Sequence, residues 1–320
     1  MKKILVFLIC ITLSLSLASC AVKPLESTEE DMRSVGVVGD TEIAYEELRF
    51  IVLTYKKSLS DSQSDEAFDD SFDENAELYF GENITYNYAV LELCRQIGLD
   101  SDNARVNDAV QARVEALVES LGGFSKYKKY LEESFLTDNV YRENVRAEIM
   151  QNELFYAYVD DLGLIESDSE KIYDIIKSNF VRTQHIYVSK NTQGAKEKIE
   201  SALFELSCGA DFWDTVLKYG EDSSLKEAGE YVTRGYMNGE YENVAYKLRV
   251  DEYSDVIESN NGYFIVKRLA QDPLYVMVNF EMLSERYQRY AFLEMIYEQQ
   301  RMLKFVPNEY FYSLDLLNLK

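Results

Sequence analysis

The chain has 320 residues, with 33 Lys and Arg against 57 Asp and Glu, a formal net charge of −24 and one histidine. That balance excludes nucleic acid as a partner, because such binding draws its affinity from basic contacts to phosphate, and it disfavours lying flat on an anionic membrane. The length suggests two domains, and four cysteines without metal-like spacing exclude a disulfide framework.

Lys2 and Lys3 precede an apolar run from Ile4 to Leu17, the size of a secretory leader and too short for a comfortable membrane span. The run ends in Leu17-Ala18-Ser19-Cys20, which matches the bacterial lipobox. Residues 1–19 are therefore expected to be removed and Cys20 to carry lipid, which anchors a protein without spanning the bilayer. Residues 20–35 read as a tether, acidic from Glu26 to Met32. Cys94 and Cys208 read as two separate thiols, although outside the cytoplasm they could also pair.

Val35, Val37 and Val38 suggest a short strand closed by a Gly39-Asp40 turn. A helix starts near Ala44, with Leu48, Ile51, Val52 and Tyr55 as its apolar stripe. Residues 59–77 carry eight acids and no base and read as a solvated loop. A calcium loop is the alternative, but the glycine-centred pattern it requires is missing. Further helices are expected over 83–97, then from a cap at Ser101 or Asp102 to Gly122-Gly123, over the short FSKYKKYLEES stretch, from a Thr137 cap to about Asp161, and from Ser167 or Ser169 to Ser178.

After Asn179 the pattern changes. FVRTQHIYVS alternates as a strand, two helices follow over AKEKIESALFELSCG and DFWDTVLKYG, and GYFIVKRL reads as another strand. The alternation puts Ile186 and Val188 on one face and His185 and Tyr187 on the other. Val276 to Leu303 reads as one long helix ended by Pro307.

The segments QHIYVS, GADFWDTVLKYGEDSS, GYMNGEYENVAYKL and DEYSDVIESNNGYFIVKRL, in that order over about residues 180–270, resemble a parvulin-type peptidyl-prolyl isomerase domain. With the lipobox, VGVVGDTEIAYEEL and the flanking helices, the arrangement resembles the PrsA/SurA class of extracytoplasmic foldases and chaperones. The resemblance implies an α+β protein. A helical N-terminal domain over 36–178 would be completed by a C-terminal helix within 271–320, with a parvulin-like unit over 179–270, a four-stranded antiparallel sheet with helices, inserted between them. It places His185 and Asp222 at the catalytic positions and Met237, Tyr241, Phe264, Ser259 and Asn261 around the proline ring. Tyr241 stands where the family usually has phenylalanine, and Phe264 takes the place of the second family histidine. No cofactor or metal is implied.

The implied activity is isomerisation of X–Pro bonds in newly exported polypeptides at the outer face of the cell membrane, with unfolded chains as partners. The alternative is a holdase chaperone whose parvulin domain is weak or inactive, which the loss of the second histidine favours. A solute-binding lipoprotein fits poorly, because it would need repeated strand-helix units.

Overall fold

The computed structural model describes residues 22–61, 68, 71–237 and 239–320. The leader, Cys20 and part of the acidic 59–77 run lie outside the described residues. In chain order the elements are β1 (Ser34–Val38), β2 (Thr41–Ala44), α1 (Tyr45–Asp61), α2 (Phe72–Gln96), α3 (Ala104–Leu121), α4 (Phe124–Glu133), α5 (Asp138–Tyr156) and α6 (Ser169–Asn179). Then come β3 (Val181–Ser189), α7 (Ala195–Ser207), α8 (Phe212–Tyr219), β4 (Glu230–Val232), α9 (Gly239–Ala245), β5 (Ile257–Glu258), β6 (Gly262–Leu269), α10 (Pro273–Val278), α11 (Phe280–Gln300) and β7 (Phe305–Pro307). The described residues form two compact units. One comprises the described part of Met1–Ile84 with Asp100–Ile149 and Phe305–Lys320, the other Thr85–Leu99 with Met150–Lys304. No helix among the described residues is long and apolar enough to cross a membrane.

In the first unit, helix starts follow capping chemistry. Asn103, rather than Ser101 or Asp102, caps α3 by accepting from the Val106 N–H at 3.0 Å, and Gly122 ends it at φ 83°. Thr137 caps α5 as expected, accepting from the Val140 N–H at 3.1 Å. α2 begins earlier than the acidic run suggests, because Phe72, Ala76, Phe80 and Ile84 recur every four residues and are all buried.

Two features of this unit differ from the sequence reading. The residues around Pro307, expected only to end a helix, form β7, an edge strand pairing antiparallel with β1 in the order β2-β1-β7. Proline is tolerated there because an edge leaves one row of backbone groups unpaired. The expected tether is fastened from Val22 onward. The Val22 carbonyl accepts from Gln111 Nε2 at 3.1 Å, and the Leu25 N–H donates to Asp138 Oδ2 at 3.2 Å. Both side chains pack with Val114, Tyr127 and Leu131. Further along, the Ser27 hydroxyl donates to Glu46 at 2.7 Å.

The second unit holds a four-stranded antiparallel sheet in the order β4-β3-β6-β5. Ile186, Val188 and Ile265 bury one face against Ile199, Ala202 and Leu206 of α7 and Phe212 and Val216 of α8. The opposite face carries Val181, Phe264 and Val266 under Tyr241 and Ala245 of α9. α6, α10 and the start of α11 meet at Ile172, Ile176, Val276 and Leu283, and Phe292 further along α11 lies edge-on to Phe155 and Tyr158. The long C-terminal helix of the sequence reading is thus two, α10 and α11, with Asn279 between them. Cys94 is buried, Cys208 is exposed, and both are free.

Burial, augmented by the neighbouring Glu46 and Glu143, pushes the Glu47 carboxyl up to about 7 against the opposing Ala44 N–H bond. Between its ordinary value of 4.5 and that value, the folded chain keeps a proton that the unfolded chain has released. The contribution of Glu47 is therefore fully present below pH 4.5 and lost as pH rises through about 7. Glu47→Gln keeps an acceptor for Ala44 without the charge. Denaturant titrations should show its advantage over the wild type growing from near zero in acid to about 3 kcal/mol at pH 8.

Candidate active site

β3 carries Thr183, His185 and Tyr187 on one face by simple alternation. Three loops are pinned against this face. Glu221 receives the Ser189 N–H at 2.8 Å and the Lys198 ammonium at 2.8 Å, while its own N–H donates to the Tyr187 carbonyl at 2.8 Å. Asp222, the next residue, is thereby delivered to the imidazole. Gly229, at φ 70°, runs so close to β3 that a Cβ would lie 2.4 Å from the Thr183 carbonyl oxygen. That approach sets β4, and with it Glu230, beside His185. The third loop is held by the buried Glu242 carboxylate, which accepts from Gly235 N–H at 3.0 Å and Met237 N–H at 2.7 Å.

His185 is 2% exposed. Its Nε2 lies 3.1 Å from Asp222 Oδ2 and its Nδ1 lies 3.3 Å from the Tyr241 hydroxyl. The Tyr241 hydroxyl is also 2.8 Å from Thr183 Oγ1. Burial holds the imidazole below its ordinary value of 6.5, with the Asp222 carboxylate pulling the other way. Burial acts to raise Asp222, but the Ser224 hydroxyl and N–H, joined by the imidazole, hold it below its ordinary value. At neutral pH the pair is therefore a neutral imidazole and a carboxylate. A carboxylate only accepts, so Nε2 carries the ring proton and Nδ1 is an acceptor. The chain of donors then has one consistent direction: Thr183 to Tyr241, Tyr241 to His185, His185 to Asp222.

Rings pack around this chain of donors. His185, Tyr241 and Phe264 meet edge-to-face in all three pairings, with centroids 5.5 to 5.7 Å apart. Burial raises the Tyr241 phenol, and Glu230 and Asp222 add to the effect, so it stays protonated and able to donate. Glu230 lies 3.7 Å from Nδ1, and burial raises its carboxyl.

The structure brings His185, Asp222, Tyr241 and Phe264 into direct contact, with Met237 half-buried in the same apolar cluster. Tyr241, expected on the wall of a ring pocket, is fully buried, because its hydroxyl must reach Thr183 and His185. Ser259 and Asn261 serve the β5–β6 turn. The Ser259 hydroxyl donates to the Gly262 carbonyl at 2.9 Å, and the Asn261 carbonyl accepts from the Tyr187 hydroxyl at 3.1 Å. The sequence reading did not single out Thr183, Glu221, Glu230 or Glu242. Thr183 was within its reach, lying two residues before His185 on the same strand face.

Residues 166–272 match the family model described as the PPIC-type PPIase domain. That segment is thus similar to parvulin-type peptidyl-prolyl isomerase domains, and the match includes α6 with the β4-β3-β6-β5 sheet. Beyond that domain, the chain is similar to the foldase protein PrsA of Staphylococcus aureus (strain MRSA252), at 30% identity over 203 residues that cover 58% of this chain and 60% of the relative. It thus spans about three fifths of that curated relative's length. Among solved structures, PrsA from Bacillus anthracis matches with TM-score 0.35 and 19% identity, covering 67% of this chain and 94% of that one. The parvulin NmPin of Nitrosopumilus maritimus matches with TM-score 0.25 and 34% identity over 29% of this chain and 98% of its own.

One histidine in the whole chain makes the site directly readable by NMR. Imidazole nitrogen spectra should show a single ring protonated at Nε2 at neutral pH, titrating below 6.5. Tyr241→Phe should shift the Nδ1 resonance and cost about 1–3 kcal/mol, since it leaves Thr183 and Nδ1 without their shared partner.

Proposed function

We propose that the chain is a peptidyl-prolyl cis-trans isomerase acting on newly exported polypeptides, anchored to the extracytoplasmic face of the membrane through lipid on Cys20. The observation that carries the catalytic part is the buried His185, oriented at both nitrogens by Asp222 and Tyr241, with a half-buried Met237 packed on the cluster that holds Tyr241 and Phe264.

The barrier to rotating the bond is roughly 18–20 kcal/mol and comes from amide resonance, while both isomers of an X–Pro bond are populated. A site accelerates rotation by binding the twisted amide better than the planar forms. Here the prolyl ring rests on Met237, with Tyr187 and Phe264 behind it. The resonance form that resists rotation puts negative charge on the carbonyl oxygen. Asp222, held as a carboxylate with its side chain 30% exposed, disfavours that charge on an oxygen placed beside it. His185 fixes the direction of Asp222 and takes no proton from substrate. Neither a covalent intermediate nor a cofactor enters this scheme.

The holdase reading draws on Phe264 in the place of the family's second histidine. The geometry around Tyr241 supports the enzyme instead, because its hydroxyl supplies the partner that Nδ1 needs. A proline-limited peptide assay on the chain without its leader decides between them. Turnover should be measurable, and Asp222→Ala and His185→Ala should each lower kcat/KM about ten- to a hundredfold, as expected for lost charge-assisted hydrogen bonds. Background rates in the wild type, with aggregation of an unfolded client still suppressed, would establish the holdase. Protonation of His185 removes the acceptor that Tyr241 uses, so kcat/KM should be level from pH 7 to 8 and fall below the depressed imidazole value.

A further inference from the structure

We infer that α4 of the first unit faces the bilayer, with Lys126, Lys128 and Lys129 on anionic lipid headgroups and Phe124 at the level of the headgroup boundary. This rests on the lipid-anchor reading of Cys20 and adds where on the fold the anchor is held. Only Ala21 separates Cys20 from Val22. Two residues of chain reach at most about 7 Å.

Val22 does not swing freely. Its carbonyl receives Gln111 and Arg142, the Leu25 N–H is bonded to Asp138, and both apolar side chains pack in a cluster with Tyr127, Tyr130 and Leu131 of α4. Asp138 is itself locked, its side chain fully enclosed, accepting from Tyr127 at 2.6 Å and from Arg142 at 2.6 Å. Acyl chains on Cys20 therefore start within about two residues' reach of the α4 surface.

The chemistry of that surface fits the placement. In a chain of net charge −24, α4 carries three lysines within four residues, all exposed, and Lys23 beside the anchor is exposed as well. Phe124 is 38% exposed, with the Lys128 ammonium 5.3 Å from its ring centroid. The acids of the helix, Glu132 and Glu133, sit on its last turn, where Glu133 pairs with Lys129 at 3.3 Å. Overall acidity disfavours the chain lying flat on an anionic surface, and α4 is the local exception. Clustered lysines next to a lipid anchor add electrostatic attraction to anionic headgroups, which orients the face that carries them.

The test uses the mature lipidated chain in vesicles containing phosphatidylglycerol, with a fluorophore on Phe124→Cys in a Cys208→Ser background. Lipid-borne nitroxide should quench the probe, and quenching should fall about tenfold in Lys126→Glu/Lys128→Glu/Lys129→Glu or in phosphatidylcholine-only vesicles, while the protein still floats with the lipid. Floating protein whose probe is quenched only from water overturns the placement and leaves the anchor standing. Quenching that survives charge reversal overturns the role of the lysines. Protein that does not float, with an unmodified Cys20 by mass spectrometry, removes the anchor reading and this inference with it.

Discussion

An imidazole with 2% of its surface exposed must have both ring nitrogens matched, because an unsatisfied buried polar group costs about 1–3 kcal/mol. The site is organised around that constraint. Burial forces His185 to stay neutral, and a neutral imidazole is one donor and one acceptor, so its two partners must differ in kind. Asp222 can only accept, and the protonated Tyr241 phenol donates. Thr183 closes the sequence by donating to Tyr241. Phe264 meets the imidazole with an apolar ring edge, and Tyr241 brings the hydroxyl that the second ring nitrogen requires.

The site is surface-borne, yet its loops are fixed at their backbones. Glu221 clamps the chain before Asp222, Gly229 lets the β4 approach graze β3, and Glu242 holds the N–H groups of Gly235 and Met237. Each device works on main chain, so the chemical side chains inherit their positions from turns and do not define them. Ser259 has the same structural character, spending its hydroxyl on the β5–β6 turn.

Alternation along β3 was legible, because the two faces of the strand differ in chemistry: Ile186 and Val188 meet helices, while His185 and Tyr187 meet rings and loops. The order of strands and helices in the parvulin unit was legible for the same reason, together with the resemblance. What escaped was set by partners distant in sequence. Tyr241 reads as a pocket wall until the hydroxyl of Thr183, 58 residues earlier, is seen to hold it down. β7 is three residues long and exists only because β1 offers an edge more than 260 residues before it. The start of α2 was hidden by acids standing between Phe72, Ala76 and Phe80. The segment from Val22 looked like a tether because its polarity is real, but polar residues also serve as hydrogen-bond donors to buried acids.

That last point reaches further than the N-terminus. With 57 acids and 33 bases, at least 24 carboxylates have no cation of their own, and bulk acidity alone would explain only solubility. At the nodes of this fold, carboxylates act instead as multiple acceptors for neutral donors. Glu46 gathers Ser27, Thr137 and Asn139; Glu242 gathers two backbone N–H groups; Asp222 gathers Ser224 twice and His185. Asp138 adds Tyr127 and the Leu25 N–H to its arginine. Bonds of this kind are short-ranged and sheltered, so they are screened far less than exposed ion pairs. An acidic chain can thus keep most of its charge on the surface and still use the same residue type, buried or half-buried, to fix a terminus, a turn and the His185 ring.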